Sequence, residues 1–382
     1  MSPLERVFRG KHVLVTGHTG FKGGWLCAWL KALGAKVTGL SLPPEGQPNL
    51  FHSASVARGM ISLFGDIRDF KVVARAMHDH EPEVVFHLAA QALVRHSYQE
   101  PLETFETNVL GTANILEAVR WTPSVRAVVA ITSDKCYENP EDGAPRKESD
   151  PMGGHDPYSA SKGAAELVIA SFRRSFLEDK GIGLASARAG NVIGGGDWAL
   201  DRIVPDCARA LAEGRPVPIR NPRAIRPWQF VLEPASGYLW LAARLLEDPA
   251  TYSGGWNFGP GDKERVPVAK LVSAVIKAWG ASTSRVHYTS SPDAPREAVS
   301  LVLSPAKARK QLGWRAAYSV HEAVHETVAW YKASSLPGFD GEKATLEQIR
   351  AYTEKARALG LRWAKEEQKE QPKEKKQKKQ KR

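Results

Sequence analysis

The stretch VLVTGHTGFKGGWL, Val13 to Leu26, decides how the rest of the 382-residue chain is read. It opens on a β-rich apolar run, His12–Thr16, and closes on a helical segment, Trp25–Leu33. Between them Gly17, Gly20 and Gly23 stand at G-x-x-G-x-x-G spacing. Glycine lets a turn close tightly and lets the backbone approach an anion. The helix that follows offers free N–H groups and about half a positive charge at its start. Strand, glycine turn and helix together point to a dinucleotide pyrophosphate, provided the segment opens a longer α/β series.

Such a series follows. Apolar runs recur at Lys36–Leu40, Ile61–Phe64, Val84–Leu88, Val125–Thr132 and Leu184–Arg188. Helical patterns lie between them, among them Pro101–Arg120 and Tyr158–Leu177. Short, wholly apolar strands alternating with helices predict a parallel sheet covered on both faces, a doubly wound α/β fold of Rossmann type. After residue 189 Gly, Pro and Trp become dense, with helices expected at Leu239–Leu246, Val266–Trp279 and Ala344–Ala364. The chain divides on this reading into residues 1–188, a dinucleotide-binding domain, and 189–345, a smaller substrate lobe with segments returning to the sheet. A helix over 346–364 and a basic tail over 365–382 complete it.

Composition sets limits. Hydrophobic residues make up 42%, enough for a sizeable core. No stretch approaches the roughly 20 apolar residues of a membrane helix. The N-terminus MSPLERVFRGK carries charge where a secretion signal would be apolar, so a cytoplasmic, soluble protein is expected. Cys27, Cys136 and Cys207 are too far apart for a zinc pattern and odd in number for a disulfide framework. The net charge is +11, and the tail, with nine Lys/Arg and four Glu, supplies almost half of it. That low-complexity tail reads as a solvated segment; contact with nucleic acid is the less favoured alternative.

Two further motifs carry chemistry. Tyr158 and Lys162 in DPYSASKGAAELV are spaced i and i+4 and share one helix face. A tyrosine acting as base must fall from a pKa of about 10 to about 7, roughly 4 kcal/mol. One cation at about 4 Å supplies a similar amount at an effective dielectric near 20. ITSDKCYEN, Ile131 to Asn139, ends a buried strand in Ser133, Asp134 and Lys135, at the carboxyl edge where parallel sheets bind ligands. At the end of the second strand Ser41 stands where an acid commonly holds the adenosine ribose, so that position does not itself select NAD over NADP. Asp66 is placed to receive the adenine amino group, or is a surface-turn acid.

The glycine turn, the Ser after the fifth strand and YxxxK resemble the extended short-chain dehydrogenase/reductases. GHTGFKGGWL, ITSDKCYEN, RAGNVIGGGDW and RPWQFVLEP narrow the resemblance to the family of CDP-D-glucose 4,6-dehydratases, from about Phe8 to Tyr331. The resemblance implies NAD as cofactor, CDP-glucose as substrate, a homodimer, and a place in deoxysugar and O-antigen biosynthesis. It implies that Tyr158 takes the C4 hydroxyl proton, that Ser133 bonds the C4 oxygen, and that Asp134 is the acid at O6. Related dTDP-sugar enzymes carry Thr-Asp-Glu here, with Glu as the C5 base. Lys135 in that place is either the base or a group that orients Asp134.

The resemblance also implies cofactor contacts from Gly17, Thr19, Gly20, Phe21, Gly23, Ser41, Asp66, Ile67, Ala89, Ala90, Asn108, Tyr158 and Lys162. Asn108 is expected to steady the active-site backbone. Gln91 and Arg95 are placed to reach the sugar or its phosphates, and Asn191 and Arg226 the diphosphate. Arg296 is a second phosphate candidate, although the family pattern commonly has His there. Asp201, Arg202 and Arg220 are expected along the nucleotide pocket. No metal site is expected. A 4-epimerase is the alternative within the class, although it has no need of an Asp–Lys pair beside Ser133. A NAD-binding scaffold acting through its tail is the alternative outside it.

Overall fold

The computed structural model describes residues 1–261, 264–281, 286–288 and 301–365. A central sheet contains β1 (His12–Thr16), β2 (Lys36–Ser41), β3 (Ile61–Phe64), β4 (Val84–His87), β5 (Ala127–Ile131), β6 (Gly183–Ala189) and β7 (Gly254–Phe258). Its order is β7-β6-β5-β4-β1-β2-β3. Every neighbouring pair is parallel. The order reverses at β1 and β4, so the crevice opens beside the glycine turn.

Alternation along each strand builds two cores. Val13, Val15, Val84, Phe86, Val129 and Ala187 face one layer, while Leu14, Val85, Val128 and Leu184 face the other. On the first face lie α1 (Pro3–Phe8), α2 (Phe21–Ala32) and α7 (Leu232–Glu247). On the second lie α3 (Phe70–His80), α4 (Gly111–Arg120) and α5 (Pro157–Phe172). Both cores being sealed explains why the strands read as continuous apolar runs. α6 (Ile203–Ala212) and α8 (Gly341–Ala358) join the first-face cluster through Val204, Cys207, Ile349 and Tyr352.

Three helices differ from their sequence-predicted form. Pro101–Arg120 is broken by a π-helical turn at Glu106–Leu110, which carries Asn108 inward. The expected short helix Leu239–Leu246 begins seven residues earlier, at Leu232. Pro234 sits in its first turn, and Gly237 packs against Phe258, whose ring lies 2.4 Å from where a Cβ would stand. The last helix is Gly341–Ala358, started by the Asp340 carboxylate accepting from the Lys343 N–H.

Past β6 the chain forms short strand pairs over the sheet's carboxyl edge. Val192–Ile193 pairs with Gln229–Phe230, and Ile225–Pro227 with Arg265–Pro267. No helix of the described residues is long and apolar enough to cross a membrane.

Candidate active site

The glycine turn is shaped by close backbone approach. Gly17 has φ +77°, and a Cβ there would stand 2.8 Å from the Ala89 nitrogen. A Cβ on Gly23 would stand 2.0 Å from the Gly17 carbonyl oxygen. Gly20 caps α2 with extended backbone and no side chain over the helix end. The cradle is therefore open, narrow and lined by N–H groups, which suits the pyrophosphate of a dinucleotide. Thr19 and Ser41 hydroxyls hydrogen-bond at 2.8 Å, joining the turn to the end of β2. Asp66 is turned back on its own loop, its two oxygens accepting from the Arg68 N–H and Nε, each at 2.8 Å. Phe21 and Ile67 are packing groups around the cradle: the Phe21 ring faces Gly194, and Ile67 fills the space that Gly111 leaves.

Behind the turn the Thr16 hydroxyl accepts from the Leu88 and Ala89 N–H groups, each at 3.1 Å. It also meets His87 Nδ1 at 2.8 Å. His87 Nε2 meets Thr112 Oγ1 at 3.0 Å, and that hydroxyl is spent on the Asn108 carbonyl. His87 therefore carries its proton on Nε2. Burial, then the Lys162 charge, push its pKa down to about 3, so it stays neutral. Neither His87 nor Thr16 was singled out from the sequence.

The carboxyl edge of β5 gathers the reacting groups. The Ser133 hydroxyl donates to Asp134 Oδ1 at 3.1 Å, and Ser133 pulls the neighbouring Tyr158 phenol down. Ser133, Asp134, Tyr158 and Lys162 are all buried. Burial raises the Asp134 carboxyl above the usual carboxylate range, against the opposing pull of Lys135, Arg226 and Lys22. That favours a protonated acid. Lys135 is half-buried, and its charge is the largest acting on Asp134.

Tyr158 departs from the expectation of a cation at close range. Burial pushes it up to about 12. Lys162 Nζ stands 5.9 Å from the ring centroid and is itself lowered to about 8, first by burial and then by Lys22. Ser133 and the Arg202 charge pull the phenol down, but by less than burial raises it.

The remaining sequence candidates divide. Asn108 does not face the cradle. Its Oδ1 accepts from the Gln91 N–H at 2.9 Å, and its Nδ2 donates to the Gln91 carbonyl and the Ser161 hydroxyl. It staples the loop after β4 to α5, and the π turn gives it that reach. The Gln91 side chain is directed away from the cleft. It donates to Leu93 O and Thr104 Oγ1 and accepts from the Leu93 N–H, because the loop's backbone needs those partners. Arg95 and Arg220 converge on Asp201, whose φ of +64° sits in the left-handed region. Arg202 donates to Asp197 Oδ2 at 2.8 Å. Asn191 is half-buried beside the Gln229 N–H, which its carbonyl accepts, and Arg226 is buried with its charge felt at Asp134. Ala89 lies against Gly17, and Ala90 follows it, half-buried. Arg296 lies outside the described residues.

Two groups escaped the sequence reading although their strings were in view. Lys22 stands inside the glycine turn, and Asp197 inside GGGDW. Neither has a periodicity that marks it. Among the described residues no cluster of His, Cys, Asp and Glu could hold a metal ion.

The family profile described as GDP-mannose 4,6 dehydratase matches residues 14–327. CDP-glucose 4,6-dehydratase of Salmonella typhimurium is 49% identical over 334 residues, covering 86% of this chain and 92% of that protein. Among solved structures, UDP-glucose 4-epimerase of Thermus thermophilus, in complex with NAD, aligns with TM-score 0.73 at 29% identity, covering 84% of this chain and 99% of the other. A dTDP-glucose 4,6-dehydratase of Streptomyces venezuelae has the same fold, with TM-score 0.73 at 24% identity over 84% and 97%. With a cradle for a dinucleotide, a Ser-Asp-Lys edge and a YxxxK helix in one crevice, the chain belongs to the GDP-mannose 4,6-dehydratase family, within the extended short-chain dehydrogenase/reductases.

Proposed function

We propose that the protein is an NAD-dependent hydro-lyase that converts CDP-D-glucose to CDP-4-dehydro-6-deoxy-D-glucose. One observation carries the reading: Ser133 lies beside Tyr158, the group for C4, and its hydroxyl donates to Asp134, the group for C6. An epimerase needs only the first. The 49% identity to a CDP-glucose 4,6-dehydratase supports the nucleotide.

The glycine cradle fits NAD, since any side chain at Gly17 or Gly23 would collide with backbone. Bound there, NAD would supply the acceptor for the C4 hydride and its donor to C6. Tyr158 accepts the C4 hydroxyl proton, and Ser133 holds that oxygen in line. Once C4 is a ketone, the C5 proton is acidic. Lys135 takes it, or holds Asp134 while water does. Asp134, its carboxyl raised by burial, gives a proton to the departing C6 hydroxyl. Arg226 and Asn191 hold the diphosphate, with Arg95, Asp201, Arg202 and Arg220 further along the nucleotide.

The test is incubation in heavy water with CDP-glucose, dTDP-glucose or GDP-mannose, each with NAD or NADP, followed by NMR. The 4-keto-6-deoxy sugar with deuterium at C5, formed from CDP-glucose and NAD, is expected. C4 inversion without exchange at C5 would overturn the reading in favour of an epimerase.

We further infer a cytoplasmic homodimer serving deoxysugar synthesis. Exposed Leu102, Leu110 and Leu167, on the segments 101–120 and 157–172, support pairing through those helices. Sedimentation velocity checks it, with a monomer at micromolar protein as the adverse result.

A further inference from the structure

The turn that carries Ser133, Asp134 and Lys135 leaves β5 at Thr132 and ends at Tyr137. One buried ion pair, which takes no part in the steps above, holds it at both ends. At its start the Thr132 hydroxyl donates to Glu166 Oε1 at 2.5 Å. At its end Arg188 Nη1 donates to the Tyr137 hydroxyl, and the same guanidinium lies 5.0 Å from the centre of that ring. Between Glu166 and Arg188 run two bonds, Nε to Oε1 at 2.8 Å and Nη2 to Oε2 at 2.6 Å. Both side chains are almost wholly enclosed, 4% exposed for Glu166 and 6% for Arg188.

The pair is itself anchored to the sheet. The Ser186 hydroxyl on β6 donates to Glu166 Oε2 at 2.7 Å. On β7 a Cβ at Gly255 would stand 2.5 Å from Arg188 Nη2, so the guanidinium fills the space that this glycine leaves. Tyr137 donates onward to Asn257 Oδ1, also on β7, at 2.8 Å. Between its two ends the turn rests on α5. A Cβ at Gly163 would stand 3.1 Å from the Cys136 carbonyl oxygen, which accepts from the Gly153 N–H at 2.9 Å. Gly163 follows Lys162 directly, and Glu166 lies one turn beyond it. The helix that supplies Tyr158 and Lys162 therefore also grips the turn that supplies Ser133, Asp134 and Lys135.

We propose that Glu166 and Arg188 are positioning residues, whose ion pair sets the register of the Ser133-Asp134-Lys135 turn against Tyr158 and Lys162. The proposal rests on the dehydration reading above. Stability alone is a poor reason to bury two ions, because apolar residues of similar volume commonly serve it as well or better. Direction is a better one: the forked contact of guanidinium and carboxylate fixes angles as well as distance. Both halves of the reaction depend on the register. Ser133 serves the C4 oxygen and Asp134 the C6 hydroxyl, so a turn displaced by about 1 Å slows both, on the order of a hundredfold. A pair that only stabilised the fold would leave every folded molecule as fast as wild type.

The test separates speed from folding. Glu166→Leu combined with Arg188→Met removes both charges at once and leaves neither ion stranded. Full-length protein carrying NAD is mixed with CDP-glucose. Reduced nicotinamide is followed by absorbance, product by NMR, and the folded fraction by near-ultraviolet circular dichroism. The folded double variant should keep its KM for CDP-glucose within about threefold, while cofactor reduction and product formation both fall about a hundredfold. Tyr137→Phe keeps the ion pair and removes the hydroxyl that it holds. Both rates should fall about tenfold there, with KM unmoved. That variant decides the matter should the double variant fail to fold. Wild-type speed in either folded variant, a loss confined to one half of the reaction, or a loss matched by weaker binding of CDP-glucose or NAD would each overturn the proposal and leave the dehydratase reading intact. Wild-type protein that neither reduces cofactor nor forms product overturns that reading, and the proposal with it.

Discussion

Helix α5 carries two buried clusters of charge that are settled in opposite ways. Behind the β5 edge, Glu166 accepts from Thr132 at 2.5 Å, Ser186 at 2.7 Å, Arg188 Nε at 2.8 Å and Arg188 Nη2 at 2.6 Å. Arg188 goes on to the Tyr137 hydroxyl, which donates to Asn257 on β7. Every strong group there has a partner. In front, one turn earlier on the same helix, Lys162 forms no ion pair among the described residues, nor does Lys22 across the cleft. Satisfied charge fixes the scaffold, and unsatisfied charge is what a charged, hydroxyl-rich ligand can use.

The contrast can be broken from either side. The largest expected effect is at the front: Tyr158→Phe should cut turnover at least about a thousandfold, with its melting temperature within a few degrees of wild type. Product NMR and a thermal melt check both. At the back, Arg188→Met strands the Glu166 carboxylate and should cost about 3–5 kcal/mol of stability, read by urea denaturation. Replacing Glu166 and Arg188 together by apolar residues should cost much less than that single change. Asp134→Asn should slow product formation about a hundredfold while cofactor reduction persists; stopped-flow absorbance shows it.

Lys162→Met should instead stabilise protein stripped of nicotinamide, by up to about 3 kcal/mol at neutral pH. Folding lowers the Lys162 pKa from 10.5 to about 8, so between those values the unfolded chain binds more protons and stability rises with pH. The penalty is complete below about pH 8 and gone above 10.5, so the gain from Lys162→Met should shrink across that window. Urea denaturation at several pH values tests the sign. Smallest of all, deleting residues 366–382 should leave turnover unchanged, as product NMR would show.

The frame was legible in the sequence, because burial on both faces writes itself as apolar runs and the cradle as glycine spacing; the Glu166–Arg188 network behind it was not. Tyr158, Ser133 and Asp134 were legible because each follows a fixed structural signal, a strand end or a helix spacing. Lys22 was not, since nothing in a glycine turn says which way its side chain leaves. Gln91 shows a related limit: its residue type suits a sugar, and nothing in its string announces the hydrogen bonds that it makes within its own loop. Asn108 depended on a π turn, which no apolar period announces. Glu233 shows the same limit in the second half. It precedes the helix expected at Leu239–Leu246, yet it is buried and accepts from the Ala317 and Tyr318 N–H groups and from Tyr352.

The strand β7 has a practical corollary. Its five residues pair with Ala185–Ala189, although some sixty-five residues of chain intervene. Truncation after β6 would strip the sheet of that border and leave a row of bare peptide groups free to recruit another molecule. Anyone wishing to transplant the nucleotide half as a module should carry the sequence through Phe258, or expect fibres and swapped dimers in its place.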